Sequence, residues 1–123
     1  MNNPYEAYNK YETETLSKED VLLKTYEEML SLLNIVKIAM EENNIQLKGE
    51  KISKVSNAIS LLQASLDFEK GGEIAKNLYN LYDFCQKELL EANLKNDISK
   101  IDNVINVITP IYEGFKEAKE KMK

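Results

Sequence analysis

The sequence contains no arginine, no histidine and no tryptophan, and all 16 of its basic residues are lysine. Arginine supplies the bidentate contacts with which proteins usually read phosphate groups and guanine. The formal net charge of −5 points the same way, because affinity for nucleic acids comes mostly from cationic contacts with phosphates. We therefore expect a protein that does not bind nucleic acid.

The absence of histidine also excludes most of the chemistry that a small helical protein could perform. A four-helix bundle holds a pair of iron or manganese ions through Glu-x-x-His motifs directed inward, and this chain has none. The only cysteine, Cys85, lacks a histidine that could activate it as a nucleophile. The stretch KGGE at 70–73 lacks the spacing and the preceding strand of a phosphate-binding loop. We predict that the chain is not an enzyme and needs no cofactor or metal.

Disulfides and long apolar runs are missing as well. A single cysteine cannot form a disulfide within the chain, which fits a reducing compartment. No stretch approaches the ~18–20 consecutive apolar residues that cross a membrane, and the first residues lack the basic flank and apolar centre of a secretion signal. We expect one cytoplasmic domain over residues 1–123, with no membrane contact.

Four amphipathic helical patterns follow one another along the chain. We predict helices at about 17–42, 47–67, 73–94 and 97–119, after an N-terminal segment, residues 1–16, that we expect to be mobile. The apolar positions of the first pattern recur at steps of four and three: Leu22, Tyr26, Met29, Leu33, Val36 and Met40. Because the connections are short, neighbouring helices must run antiparallel. The predicted fold class is all-α, an antiparallel up-and-down four-helix bundle with a short N-terminal cap segment.

Local signals mark where these helices begin and end. Ser17 can cap the first helix, the glycine pair at 71–72 breaks the chain after the second, and Asn96 or Asp97 can cap the fourth. Pro110 lies within the fourth pattern, where it cannot donate a backbone hydrogen bond, so we expect a kink or a break there. The last residues, 116–123, have the composition of a frayed end.

Three tyrosines stand in the polar segment ahead of the first helix, at Tyr5, Tyr8 and Tyr11. Disordered tails are usually poor in aromatic residues. Core packing is the simpler explanation for each such aromatic residue taken alone. The first and third helices also have extra apolar width, which includes Tyr79, Tyr82 and Phe84, and the fourth helix is interrupted. Together with the three tyrosines, these features indicate more apolar surface than four helices need to cover one another. Surface of that kind usually marks a partner site.

Four stretches, in this order and spacing, resemble the FliS-type flagellar export chaperones over nearly the whole chain. They are NPYEAY (3–8), LSKEDVLLKTYEEML (16–30), LDFEKGGEIAKNLYNLYDF (66–84) and LLEANLKND (89–97). The combination of all four is specific, whereas any one of them alone would be weak.

The resemblance implies a four-helix bundle that binds the disordered C-terminal segment of flagellin in the cytoplasm and prevents its polymerisation before export. It also implies an N-terminal segment that covers part of the binding groove, with Tyr5 and Tyr8 as removable plugs. Contacts with the flagellar export machinery and a homodimer are further partners that fit this interpretation. Eight residues are the candidates for partner binding: Tyr5, Tyr8, Tyr26, Leu78, Tyr79, Tyr82, Ala92 and Asn93.

A second hypothesis is a non-catalytic helical adaptor that associates with itself through the same apolar faces. A chaperone should form a stoichiometric complex with flagellin. A self-associating adaptor should instead assemble with rising concentration and ignore flagellin.

Overall fold

Four α-helices follow a short 3₁₀ helix in the computed structural model, which describes residues 4–8 and 17–122. The 3₁₀ helix spans Pro4–Tyr8, and the α-helices are α1 (Lys18–Glu41), α2 (Ile45–Ala64), α3 (Phe68–Lys95) and α4 (Ile98–Lys121). Each α-helix contacts the next, and α4 returns to contact α1, so the four form a closed ring. The described residues contain no strand. The prediction of an all-α helical bundle is confirmed.

Short polar side chains begin each α-helix by accepting hydrogen bonds from otherwise unpaired amides. The Ser17 hydroxyl accepts from the amide of Asp20 at 3.0 Å, as the sequence predicts. At the last turn the two candidate residues divide their roles. Asp97 caps α4, while Asn96, with φ of 52°, ends α3 in the left-handed conformation.

The turn between α2 and α3 differs from the prediction. The second helix ends at Ala64 and the third begins at Phe68, because the Asp67 carboxylate accepts from the amides of Glu69 and Lys70 and so starts a helical turn before the glycine pair. The break that we expected at the glycines lies within α3, at Gly72, where φ is 51° and ψ is −125°. Glycine adopts this conformation without a steric penalty.

Of the two outcomes that we expected at Pro110, a kink or a break, the break is wrong, since α4 continues as one helix from Ile98 to Lys121. Contacts on both sides of the proline hold the helix in place. Ile108 and Phe115 are buried in the core, and the Tyr112 hydroxyl donates to the Glu27 carboxylate at 2.7 Å. The same helix corrects the frayed end that the composition of 116–123 suggested. It is helical to Lys121, and the Lys119 ammonium pairs with the Asp20 carboxylate.

Replacing Pro110 by alanine should stabilise the protein. Alanine restores the amide that proline lacks, and proline in a helix interior is about 3 kcal/mol less favourable than alanine. Part of that gain is lost because proline also restricts the unfolded chain, so we expect the free energy of unfolding to rise by about 1–2 kcal/mol in urea denaturation. A decrease would mean that the surrounding contacts depend on the proline ring.

Candidate functional site

The 3₁₀ helix is seated in the bundle by aromatic contacts. Tyr5, Ala7 and Tyr8 are all buried, and the helix contacts both α3 and α4. The rings of Tyr5 and Tyr8 lie 4.9 and 5.9 Å from the ring of Phe115. The Tyr5 hydroxyl also donates to the backbone carbonyl oxygen of Phe115 at 2.6 Å. An N-terminal stretch that reads as polar therefore places two large rings against the end of α4.

Three phenol hydroxyls meet beside these rings. The Tyr82 hydroxyl on α3 is hydrogen-bonded both to Tyr8 and to Tyr26 on α1. Burial raises the pKa of all three phenols above that of free tyrosine, so they stay neutral and can both donate and accept. The Tyr8 hydroxyl thus joins the 3₁₀ helix to two of the four helices at once.

A glycine makes the close approach of the 3₁₀ helix possible. A Cβ atom at Gly71 would lie 2.7 Å from the Cα atom of Ala7 and 2.9 Å from the Cβ atom of Ala75. The backbone carbonyl of Ala7 accepts a hydrogen bond from the amide of Asp67, in the turn before α3. The glycine pair, which the sequence suggests is a helix breaker, is therefore also the seat of the N-terminal segment, meaning the part of α3 against which Ala7 packs.

Replacing Gly71 by alanine should loosen this seat. The added methyl group has no space against the Ala7 backbone, and overpacking of this kind costs about 1–3 kcal/mol. We expect a lower free energy of unfolding or a displaced N-terminal segment, seen as new binding of an apolar dye. Gly49 is the matched control, because a Cβ atom there meets nothing within 4 Å. Alanine at Gly49 should stabilise the helix interior by up to about 1 kcal/mol. Equal effects at both glycines would contradict the seat.

An apolar groove runs along the seam between α1 and α2, beside the 3₁₀ helix. Its volume is about 440 Å³, within the range of ligand pockets. The exposed side chains at its edges include Val21 and Leu61, which are 40 % and 72 % exposed. The residues that line it are Tyr8, Lys18, Val21, Leu22, Thr25, Glu28, Ala58, Leu61, Leu62 and Ser65. Tyr8 therefore belongs both to the wall of the groove and to an aromatic cluster that consists of Tyr5, Tyr8, Tyr26, Tyr82 and Phe115.

Polar pairs tie the other seams of the bundle together. Between α1 and α4, three pairs follow one antiparallel register: Lys37 with Asp102 at 2.7 Å, Glu27 with Tyr112 at 2.7 Å, and Asp20 with Lys119. Glu88 accepts from Asn103 between α3 and α4, and Gln86 exchanges hydrogen bonds with Ser56 between α2 and α3.

The sequence-derived candidates fall into separate places. Tyr5, Tyr8, Tyr26 and Tyr82 come together in the aromatic cluster. Two further candidates, Leu78 and Ala92, are buried, while their neighbours Tyr79 and Asn93 are exposed on α3. Tyr11 lies outside the described residues.

Several residues of this region were missed at the level of the sequence. Ala7 gave no signal and the glycine pair at 71–72 indicated only a helix break, because a close approach between two distant stretches leaves no periodic pattern. Leu61 did give one: it lies outside the buried stripe of α2, which consists of Lys48, Ile52, Val55, Ile59 and Leu62. A large apolar residue off the core stripe is a sign of surface that something else can cover.

The thiol of Cys85 is buried in the core, on α3. Burial raises the pKa of the Cys85 thiol to about 12, which keeps it protonated and unreactive near neutral pH. No cluster of acidic or cysteine side chains suited to a metal ion occurs within residues 4–8 and 17–122. In that same part of the chain, no helix is long and apolar enough to span a membrane.

Comparison with known proteins identifies the family. The family model described as flagellar protein FliS matches residues 1–122. The chain is 42 % identical to the flagellar secretion chaperone FliS of Salmonella typhimurium over 92 residues, which cover 74 % of this chain and 68 % of that one. It is 45 % identical to the flagellar secretion chaperone FliS of Vibrio cholerae over 81 residues, which cover 66 % of this chain and 60 % of that one.

A solved structure supports the same fold. A crystal structure of a flagellar chaperone from bacteria matches with a TM-score of 0.80 and 17 % identity, over 87 % of each chain. At that identity the match bears on the fold alone, and it agrees with the ring of four helices described above. Taken with the family match over residues 1–122, these similarities show that the chain belongs to the FliS family of flagellar secretion chaperones, a family of chaperones and not of enzymes.

Proposed function

We propose that this protein is a cytoplasmic export chaperone that binds the C-terminal segment of flagellin and prevents its polymerisation before secretion through the flagellar export apparatus. The observation that carries the proposal is the apolar groove between α1 and α2, which is walled at one end by Tyr8. The names of the relatives support a role in flagellar secretion. The groove supports the binding mode, in which a segment of the partner lies between α1 and α2.

The groove suits an amphipathic helix. Its α1 side presents residues at steps of three and four, at Lys18, Val21, Thr25 and Glu28, which is the spacing of one helix face. A ligand helix that places its own apolar face there would bury Val21 and Leu61, both of which are exposed in the free protein. Helix-in-groove docking of this kind lets a disordered segment fold as it binds.

The N-terminal segment acts as a displaceable plug in this proposal. Burying the rings of Tyr5 and Tyr8 gives about 1.5–3 kcal/mol each. Fixing the five backbone residues of Pro4–Tyr8 costs about 1–2 kcal/mol per residue. Ordering the segment therefore costs somewhat more than the burial of the two rings gains. The hydrogen bonds of the Tyr5 and Tyr8 hydroxyls and of the Ala7 carbonyl, at about 0.5–1.5 kcal/mol each, bring the sum close to zero, so the segment is held only weakly. A protein ligand with a larger apolar face can compete with a segment held this weakly.

Displacement of the N-terminal segment would enlarge the apolar surface that a ligand can contact. When Tyr5 and Tyr8 leave, Tyr26 and Tyr82 become the floor of an enlarged site that extends toward Phe115. On α3, Tyr79 and Asn93 are exposed and can contact the partner directly, above the buried neighbours Leu78 and Ala92. The proposal also includes transfer of the bound segment to the export machinery, and a homodimer as a form of the free protein.

Calorimetry with a flagellin peptide tests the proposal. The peptide copies the C-terminal ~40 residues of the organism's flagellin, about the length needed for two or three groove-filling helical stretches and their linkers. We expect stoichiometric binding, and circular dichroism of the complex should show more helix than the sum of its parts. A scrambled peptide of the same composition is the control. Concentration-dependent self-assembly without peptide binding would instead favour the self-associating adaptor.

A further inference from the structure

Lys48 is a buried charge in an unusual position. Its side chain belongs to the first turn of α2, yet only 7 % of the residue is exposed. A cation in the first turn of a helix faces the positive end of the helix dipole. Lysine is rarely buried to this degree unless it is paired with an acidic group.

The partners of Lys48 are neutral. Its ammonium group donates to the backbone carbonyl of Asn93 and to the side-chain oxygen of Asn96, both at 3.2 Å. The ion pairs found within residues 17–122 involve other lysines: Lys37, Lys87, Lys95, Lys100 and Lys119. An ammonium group has three protons to donate, so Lys48 can form one more hydrogen bond beyond these two, and its charge has no acidic partner in this part of the chain.

A small cavity adjoins Lys48 at the end of the bundle where two helix turns meet. Its volume is about 220 Å³, and it is lined by Ala39, Asn43, Asn44, Ile45, Lys48 and Asn96. Asn43 and Asn96 both have positive φ, 58° and 52°, a conformation that asparagine tolerates better than most residues. Because the Asn44 side-chain oxygen already accepts from the amide of Leu47, the amide nitrogen of Asn44 is the part left to donate. The lining is therefore rich in donors around a single positive charge.

The cavity continues the seam that forms the apolar groove. On α1, Ala39 lines the cavity and lies on the same helical stripe as Val21, Thr25 and Glu28, at successive steps of three and four. On α2, ten residues separate Ala58 in the groove from Lys48, which corresponds to about 15 Å. A helix lying along the seam from the groove would reach the cavity in about three turns.

We infer that Lys48 and the surrounding asparagines bind the C-terminal carboxylate of the segment that occupies the groove. This assignment rests on the proposed function and adds the direction of the bound segment to it. A carboxylate supplies the acidic partner that Lys48 lacks, and the negative end of a bound helix would face the same ammonium group. The turn at 42–44 closes the seam of α1 and α2 here, so a segment lying in the seam ends where the cavity begins.

The surroundings favour a single negative charge over a dianion such as phosphate. Only one ammonium group lines the cavity, and the remaining polar groups are neutral amides. Glu41 and Glu42 stand next to the same turn, and the negative ends of α1 and α3 point toward it. A monovalent carboxylate gains the Lys48 hydrogen bond with the least repulsion from these groups.

The test compares two flagellin peptides on the unchanged protein, one with a free C-terminal carboxylate and one with a C-terminal amide. We expect the free acid to bind about tenfold more tightly at low salt, equivalent to about 1.4 kcal/mol. The difference should shrink as salt screens the charge. Equal binding of the two peptides would overturn the assignment and leave the proposed function intact. If neither peptide binds, the proposed function fails, and this assignment fails with it.

A pair of lysine variants locates the effect. Lys48→Met removes the charge but keeps an unbranched side chain about as long as the apolar stem of lysine, and it should abolish the preference for the acid. Lys54→Met removes the same charge from an exposed position on the same helix, and it should leave the preference unchanged. If Lys48→Met weakens both peptides equally, Lys48 acts on another part of the ligand, such as an acidic side chain, and the assignment to the terminus is wrong. Thermal unfolding of both variants checks that they fold, and the acid–amide comparison stands without them.

Discussion

Deleting residues 1–14 should increase the binding of an apolar dye several-fold and promote self-association of the free protein. The deletion removes the rings of Tyr5 and Tyr8, which pack against the ring of Phe115, and the Tyr8 hydroxyl, which is hydrogen-bonded to Tyr82. Contiguous apolar surface exposed in this way binds dyes and other copies of the chain. The affinity for the flagellin peptide should stay the same or increase, because a ligand no longer competes with a seated segment. A plug that occupies the site lowers the binding-competent fraction and with it the apparent affinity.

A point substitution provides a second route to the same state. Gly71→Ala displaces the segment by steric conflict with Ala7 but leaves every tyrosine in the chain. If the segment is only a plug, the truncated protein and the Gly71→Ala variant should both bind dye more strongly, and neither should bind the peptide more weakly. If the tyrosines also hold the ligand after they move, truncation should weaken peptide binding while Gly71→Ala does not. Weaker binding after truncation, without newly exposed apolar surface, would contradict the plug.

The faces of the helices could be predicted from the sequence because each depends on local spacing. The apolar positions of α1, from Leu22 to Met40, recur at steps of three and four residues, which places them on one face of the helix. They are buried, as we predicted. Ser17 and Asp97 act as helix caps for an equally local reason, since each side chain reaches only two or three residues along the chain. Short-range signals of this kind can be recognised from the order of the residues alone.

The features that we predicted wrongly or missed depend on contacts between residues that are distant in the sequence. Pro110 predicts a break by its own chemistry, but it lies in a helix held to the core on either side by Ile108 and Phe115, and tertiary packing overrides the local preference. Ala7 and Gly71 are 64 positions apart, and no spacing rule connects them. The groove could be anticipated only as a surplus of apolar surface, because its location depends on how residues of α1 and α2 that are distant in sequence pack against each other.

The groove itself can be tested with one surface leucine. Leu61→Lys should weaken binding of the flagellin peptide by about ten- to a hundredfold. Burying a leucine side chain contributes about 1.5–3 kcal/mol, and a lysine at this position must either leave the interface or be desolvated within it. Because Leu61 is 72 % exposed in the free protein, the substitution should change the free energy of unfolding by less than about 0.5 kcal/mol.

Leu94 supplies a control of the same chemistry. It is 74 % exposed, and Leu94→Lys makes the same change of size and charge, but it lies on α3, close to Asn93 and away from the seam of α1 and α2. If the groove supplies most of the affinity and the contacts at Tyr79 and Asn93 add little to it, Leu94→Lys should alter the affinity by no more than about twofold. The reverse result, a large loss with Leu94→Lys and little with Leu61→Lys, would move the docking site to the exposed face of α3, where Tyr79 and Asn93 are the contacts. Equal large losses would mean that the segment wraps around the bundle and uses both faces, as a long peptide that folds on binding can do.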